Sequence, residues 1–298
     1  MFRQATHRNY VSNVKIKDKV VIITGSNTGV GYATAEDLAM RGAKVILACR
    51  NPQRGLAARD KIIQSTGNKK IIFKQLDLSS FKSVRDFADD ILKSESRLDI
   101  LINNAGILNV GNYLTADKLP IEAQVNHFSP FLLTMLLLPL LKSSAPSRII
   151  NVSSIFYIFG NVDNLDKQTK SSILGRYVER VYSNTKLANI LFTRKLSEHL
   201  KSTRVTANCL HPGAVSTDLF RNRRFTDLWF SWFINLTANQ GAQTSIYLAI
   251  DPSLDSVSGK YFSNCREVTP IKKARDDNAA ERLWSLSEDI VFSKNKEL

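Results

Sequence analysis

The chain has 298 residues, 43% hydrophobic and 23% charged, with 41 basic against 27 acidic side chains and a formal net charge of +14. That hydrophobic share excludes a disordered chain, and 13 Gly with 8 Pro exclude a collagen-like fibre. Three cysteines, Cys49, Cys209 and Cys265, are too few and too far apart for a disulfide framework or a zinc site, which predicts a reducing compartment.

The first 18 residues carry Arg3, Arg8, Lys15 and Lys17 against the single acid Asp18, with no apolar central region of a secretory signal. They read as a basic, solvated tail, the alternative being a mitochondrial address. From Lys19 onward, short β-branched runs alternate with longer amphipathic segments, the pattern of a parallel sheet with crossover helices. Strands are expected at Val20–Thr24, Lys44–Cys49, Lys70–Gln75, Ile100–Asn103, Arg148–Val152, Arg204–Leu210 and Lys260–Phe262. Helices are expected at Gly31–Arg41, Gln53–Ser65, Phe81–Ser94, Ile121–Leu141, Arg180–Leu200, Gln240–Ala249 and Asn278–Leu286. Most of the strands are continuous apolar runs, as strands covered on both faces should be. No linker or repeat divides the chain, so residues 19–298 are expected to form one α/β domain, a doubly wound seven-stranded parallel sheet with helices on both faces. Irregular insertions are expected at 154–177 and 212–239. The longest apolar run, Pro130–Leu141, is interrupted by Pro139 and falls short of the roughly 18 to 20 residues of a membrane span. No transmembrane helix is therefore expected, which leaves the cytoplasm or the periphery of a membrane, endoplasmic reticulum or mitochondrion, as the address.

Several stations along this pattern carry chemistry. After the first strand comes Thr24-Gly25-Ser26-Asn27-Thr28-Gly29-Val30-Gly31, whose glycines permit a tight turn and let backbone N–H groups approach a pyrophosphate at a helix N-terminus. The fourth strand ends in Asn103-Asn104-Ala105-Gly106, and the fifth in the adjacent serines Ser153 and Ser154, whose side chains face opposite sides. Tyr182 is followed by Lys186 on the same helix face. A phenol with an ordinary pKa of about 10 needs a nearby cation to exchange protons at neutral pH, and Lys186 supplies one. A helix near 221–236 combines Arg221, Arg223 and Arg224 with Phe225, Leu228, Trp229, Trp232, Phe233 and Leu236, an apolar stripe that suits a lid over an apolar pocket or an interfacial helix.

Thr24 to Gly31, Asn103 to Gly106 and the Tyr182-x-x-x-Lys186 motif together resemble the short-chain dehydrogenase/reductase family from about Lys19 to Trp284. Segments such as Val45 to Arg50, Arg148 to Ser154, Tyr182 to Thr193 and Gln240 to Ser245 are most similar to its NADP-dependent retinol dehydrogenases. The resemblance implies a Rossmann fold in which Tyr182 is the general acid/base, assisted by Lys186. It further implies that Ser154 orients the substrate and that Asn126 kinks its helix and holds a water beside the lysine. Ser153 is expected to bond nearby backbone, and His127 to pack or face solvent. The cofactor is then held by Gly25, Ser26, Asn27, Thr28, Gly29, Val30 and Gly31, by Asp77 and Leu78 beside the adenine, by Asn104, Ala105 and Gly106, by Tyr182 and Lys186, and by the loop Pro212, Gly213, Val215 and Thr217. At the end of the second strand an acid would favour NAD, whereas Arg50 can pair with a 2′-phosphate, so NADP(H) is the expected cofactor.

The charge excess alone would suit nucleic acid, an anionic membrane surface or a phosphate-bearing cofactor. No nucleic-acid module is recognisable. The expected function is interconversion of a lipophilic alcohol, retinol-like, with its aldehyde or ketone. A non-catalytic or regulatory dinucleotide-binding protein, and a broad carbonyl reductase of other aldehydes or steroids, are the alternatives. A homodimer through the helices flanking the site and peripheral membrane contact are the further partners the resemblance allows.

Overall fold

The computed structural model describes residues 8–108, 110–111, 113–167, 177–215 and 236–293. The chain alternates β1 (Val20–Thr24), α1 (Gly29–Met40), β2 (Lys44–Cys49), α2 (Pro52–Thr66), β3 (Ile71–Gln75), α3 (Phe81–Ser94) and β4 (Ile100–Asn103). There follow α4 (Ile121–Ser143), β5 (Ser147–Val152), a short 3-10 turn (Ile155–Phe159), α5 (Tyr177–His199) and β6 (Val205–His211). The chain ends with α6 (Ala238–Ile250), β7 (Tyr261–Ser263), β8 (Arg266–Glu267) and α7 (Asp277–Ser293).

The strands lie in the order β3-β2-β1-β4-β5-β6-β7-β8. All neighbours are parallel except the last pair, so the expected seven-stranded parallel sheet gains an eighth, antiparallel edge strand. β8 is two exposed charged residues joined to β7 through Asn264 and Cys265, both at positive φ (52° and 56°), as a two-residue hairpin turn of this type requires. With no buried face it leaves no hydrophobic pattern to read.

Alternation along the buried strands feeds two cores. Ile22, Ile46 and Leu101 pack under α3, α4 and α5, while Val21, Ile23, Val45 and Leu47 pack under α1, α2 and α6. Local signals set the helix ends: Ser80 Oγ accepts from Ser83 N to start α3, Asn51 Oδ1 accepts from Arg54 N before Pro52 of α2, and Thr237 with Gln240 forms a reciprocal cap on α6.

Two expectations change. The apolar run 130–141 is part of a continuous 23-residue helix that is long and apolar enough to cross a membrane, but 78% of its apolar window is buried inside the fold, so it is a core helix. Within the basic tail, residues 8–18 run along the domain, with Tyr10, Ser12, Val14 and Ile16 turned toward it and the residues between them exposed. Arg41 donates to the carbonyls of Ser12 (2.8 Å) and Val14 (2.9 Å), Tyr10 N donates to Gln243 Oε1 (2.9 Å), and the Tyr10 ring meets Tyr247 edge-on at 5.2 Å. Apolar residues spaced among the charges make this strap, with Ile16 buried. Helix α7 lies across α4 and α5, with Trp284 against Phe131 (5.1 Å) and Phe192 (6.0 Å) and stacked on His199 (4.3 Å).

Candidate active site

Strand order reverses between β1 and β4, and a cleft of about 310 Å³ opens beyond the carboxyl ends of the strands there. Its first wall is the turn from β1 into α1. A Cβ on Gly31 would lie 2.4 Å from Asn104 Nδ2 and 2.6 Å from the Gly25 carbonyl, and Gly25 sits at φ +66°, where a Cβ would stand 2.9 Å from Ala105. Thr24 Oγ1 accepts from the backbone N–H of Asn104 and of Ala105, each at 3.0 Å, and Asn104 Nδ2 donates back to Thr24 O at 2.8 Å. The Asn-Asn-Ala-Gly segment is therefore the buttress that holds the glycine turn. Thr28, the N-cap of α1, makes no side-chain cap bond and the first turn holds no acid, so the N–H groups there open toward the cleft with the positive end of the helix dipole.

Gly25, Asn27, Thr28, Gly29, Val30 and Gly31 line this cleft, as do Asn104, Ala105 and Gly106. Ser26 does not: it is fully buried and its hydroxyl donates to Ile23 O at 2.8 Å, locking the turn from beneath. At the far end stand Arg50, Asp77 and Leu78, with Asp77 Oδ1 accepting from Ser79 N (2.9 Å) and Ser79 Oγ (2.7 Å). Arg54 lines the same end and was missed; it lies in the first turn of α2, four residues beyond Arg50. An arginine at that spacing after a strand end is the signal that would have found it.

At the other end, α5 brings Tyr182 and Lys186 into the cleft together with Ser153 and Ser154 from the end of β5. Lys186 Nζ donates to Val152 O at 3.0 Å and lies 5.3 Å from the centroid of the Tyr182 ring, which meets Phe156 edge-on at 6.2 Å. Burial pushes the Lys186 ammonium down to about 8, with Cys209 pulling the other way. Ser154 starts the 3-10 turn and accepts from Phe156 N (3.4 Å), whereas the Ser153 hydroxyl donates to Lys186 O (2.7 Å), the backbone bond expected of it.

Asn126 stands behind the cleft, 1% exposed, in the wider π-helical turn, Gln124–Phe128, near the start of α4. Its amide clamps the Ile107 backbone in both directions, at 2.8 and 2.9 Å, and donates to Thr185 Oγ1 at 3.2 Å. Gly106 separates Asn126 from Lys186, since a Cβ there would stand 3.4 Å from both Asn126 Oδ1 and Lys186 Nζ. His127 packs, fully buried, rather than facing solvent.

Pro212, Gly213 and Val215 line the cleft after β6; Thr217 and the 221–235 part of the expected lid lie outside the described residues. The two ends of that segment meet, with Leu236 N donating to Ala214 O at 3.1 Å. His211 also lines the cleft and was not foreseen. Among the described residues its buried Nδ1 has no hydrogen-bond partner, and burial, then the nearby Lys186 charge, push the imidazole down to about 4. A glycine cradle at a helix N-terminus, two arginines at one end and an orphaned buried nitrogen at the other fit an elongated, phosphate-bearing ligand with a polar head.

The short chain dehydrogenase family model matches residues 19–163 and 169–227. The chain is 44% identical to retinol dehydrogenase 12 of Mus musculus over 283 residues, 94% of this chain and 88% of the relative. Among solved structures, one of an uncharacterised protein from Mycobacterium paratuberculosis superposes with a TM-score of 0.77 at 32% identity, covering 95% of this chain and 98% of that one. A short chain dehydrogenase from Escherichia coli complexed with NADPH has a TM-score of 0.67 at 23% identity over 85% of this chain and 99% of that one, a likeness of fold.

Proposed function

Since the chain belongs to the short chain dehydrogenase family and is an oxidoreductase acting on a CH–OH group with a nicotinamide dinucleotide, we propose that it uses NADP(H) to interconvert a lipophilic alcohol and its aldehyde or ketone. The observation that carries this reading is the meeting, in one cleft, of the glycine cradle of α1 with Ser154, Tyr182 and Lys186.

The α1 N-terminus, Arg50 and Arg54 would hold the phosphates of the cofactor, and Gly213 and Val215 its nicotinamide end. When bound, the cofactor gives or takes the hydride. In reduction, the Ser154 hydroxyl donates to the substrate oxygen, and Tyr182 delivers a proton to that oxygen as negative charge develops on it. In oxidation Tyr182 takes the proton back. Lys186 is cationic at neutral pH, and its charge beside the phenol lowers the cost of the phenolate.

An apolar substrate is supported by Ile155 and Phe159, 49% and 67% exposed, on the turn that follows Ser154. Retinol dehydrogenase 12, by its name, acts on a substrate of this kind. The test is turnover of NADPH with retinal and aliphatic aldehydes. Tyr182→Phe should cut kcat by about 10²-fold or more while leaving NADPH binding intact, and equal turnover in that variant would refute the mechanism.

A further inference from the structure

Tyr182, Lys186 and Asn189 form a row along one face of α5, with Lys186 in the middle. At the end of β5 the Val152 carbonyl accepts two hydrogen bonds, from Lys186 Nζ at 3.0 Å and from Asn189 Nδ2 at 3.2 Å. Behind Asn189, its Oδ1 faces His127 Nδ1 at 3.4 Å, and His127 Nε2 lies 3.0 Å from Ser287 Oγ of α7. Asn189, His127 and Ser287 are all buried. With its proton on Nδ1 the ring donates to Asn189 Oδ1, and the Ser287 hydroxyl, 2.7 Å from Leu283 O, shares its one proton between that carbonyl and His127 Nε2. A polar chain thus runs from the C-terminal helix to the anchor of the lysine, and nothing in the proposed chemistry uses it.

We infer that Asn189, held from behind by His127 and Ser287, is a positioning residue that keeps the Lys186 ammonium on the Tyr182 side of the Val152 carbonyl. The inference rests on the reading of Tyr182 and Lys186 as a working pair. A carbonyl has two acceptor sites. Asn189 takes one of them and fills the space beyond it, so the lysine is confined to the other, close to the phenol. Without the Asn189 amide, the second site and the space on the side away from Tyr182 open together, and the flexible lysine retreats into them. A more distant cation stabilises the phenolate less, so Tyr182 titrates at higher pH.

Among the described residues, the ionisable groups facing Lys186 are Tyr182 on its own helix and Cys209 and His211 on β6, with His127 of α4 behind Asn189. Burial pushes Cys209 up to about 12 and both histidines down to about 4, so these three stay neutral around the working range. Among the described residues, Lys186 is a neighbour whose charge acts on the phenol.

Tyrosinate absorbance of the cofactor-free protein, taken as the difference between a chain carrying Tyr182 and its Tyr182→Phe counterpart, reports Tyr182 ionisation without turnover. Asn189→Ala is expected to raise that midpoint by about one pH unit, and to move the acid limb of alcohol oxidation upward with it, activity recovering at alkaline pH. Asn189→Ser also gives up the Val152 bond while keeping a polar atom in the core, and serves if the alanine variant does not fold. An unchanged Tyr182 midpoint overturns the proposal, and activity lost equally at every pH with that midpoint unchanged marks Asn189 as merely structural. Should Tyr182→Phe still turn over, the catalytic reading fails while the midpoint comparison still decides the role of Asn189.

Discussion

His127 makes the fold sensitive to acid. It is wholly buried among Phe128, Phe131 and Phe192, and burial lowers its pKa from 6.5 to about 4, with the Asn189 contact opposing. The unfolded chain therefore takes up a proton that the folded chain refuses. Stability from the neutral ring is whole above the unfolded pKa and is lost as pH falls toward the folded one. The full gap is worth about 3 kcal/mol, of which about 2 kcal/mol disappears between pH 7 and pH 5. Urea unfolding of wild type and His127→Gln across that range measures it. The variant, which cannot titrate there, is destabilised at neutral pH but should lose about 2 kcal/mol less on acidification. His211 is present in both proteins and cancels in the comparison. Parallel stability curves would refute the argument that His127 is held neutral in the fold.

The cofactor cradle makes two further predictions. Gly31→Ala pushes a methyl group into Asn104 Nδ2 and the Gly25 carbonyl, so NADPH affinity measured by nucleotide fluorescence should fall at least about tenfold, with about 1–3 kcal/mol of stability lost. Wild-type affinity in that variant would count against the cradle. Arg50→Asp should move the ratio of kcat/KM values from NADPH toward NADH, and Arg54→Ala should weaken NADPH with less effect on NADH; an unmoved ratio in both variants argues against a 2′-phosphate site at the end of β2.

Most of the sheet was readable residue by residue because its strands are buried on both faces. Runs such as Val20-Val21-Ile22-Ile23 and Ile100-Leu101-Ile102 have no polar face to confuse the pattern. The caps at Asn51 and Ser80 are local side-chain to backbone bonds, which is why α2 and α3 begin within a residue of where the pattern puts them. β8 was invisible for the opposite reason: a two-residue charged edge held by backbone pairing alone has no side-chain signature. The strap at 8–18 was masked by its lysines and arginines, although Tyr10, Val14 and Ile16 are what fasten it.

For the site, the glycine turn, Asn104 to Gly106 and Ser154 end strands or open a helix, and a doubly wound sheet puts those points on one edge; Tyr182 and Lys186 join them from within α5, where the family resemblance rather than position marks them. What each residue meets there was decided by the tertiary structure. Ser26 turns inward, Arg54 joins Arg50, His211 brings a buried ring nitrogen to the cleft, and Lys186 shares its carbonyl with Asn189. These are contacts between residues far apart in the chain, such as His127 with Ser287, and only the packing of helices against the sheet sets their distances. Periodicity and short motifs record the bonds a segment makes with itself; a hydrogen bond across 160 positions leaves no trace in either segment alone.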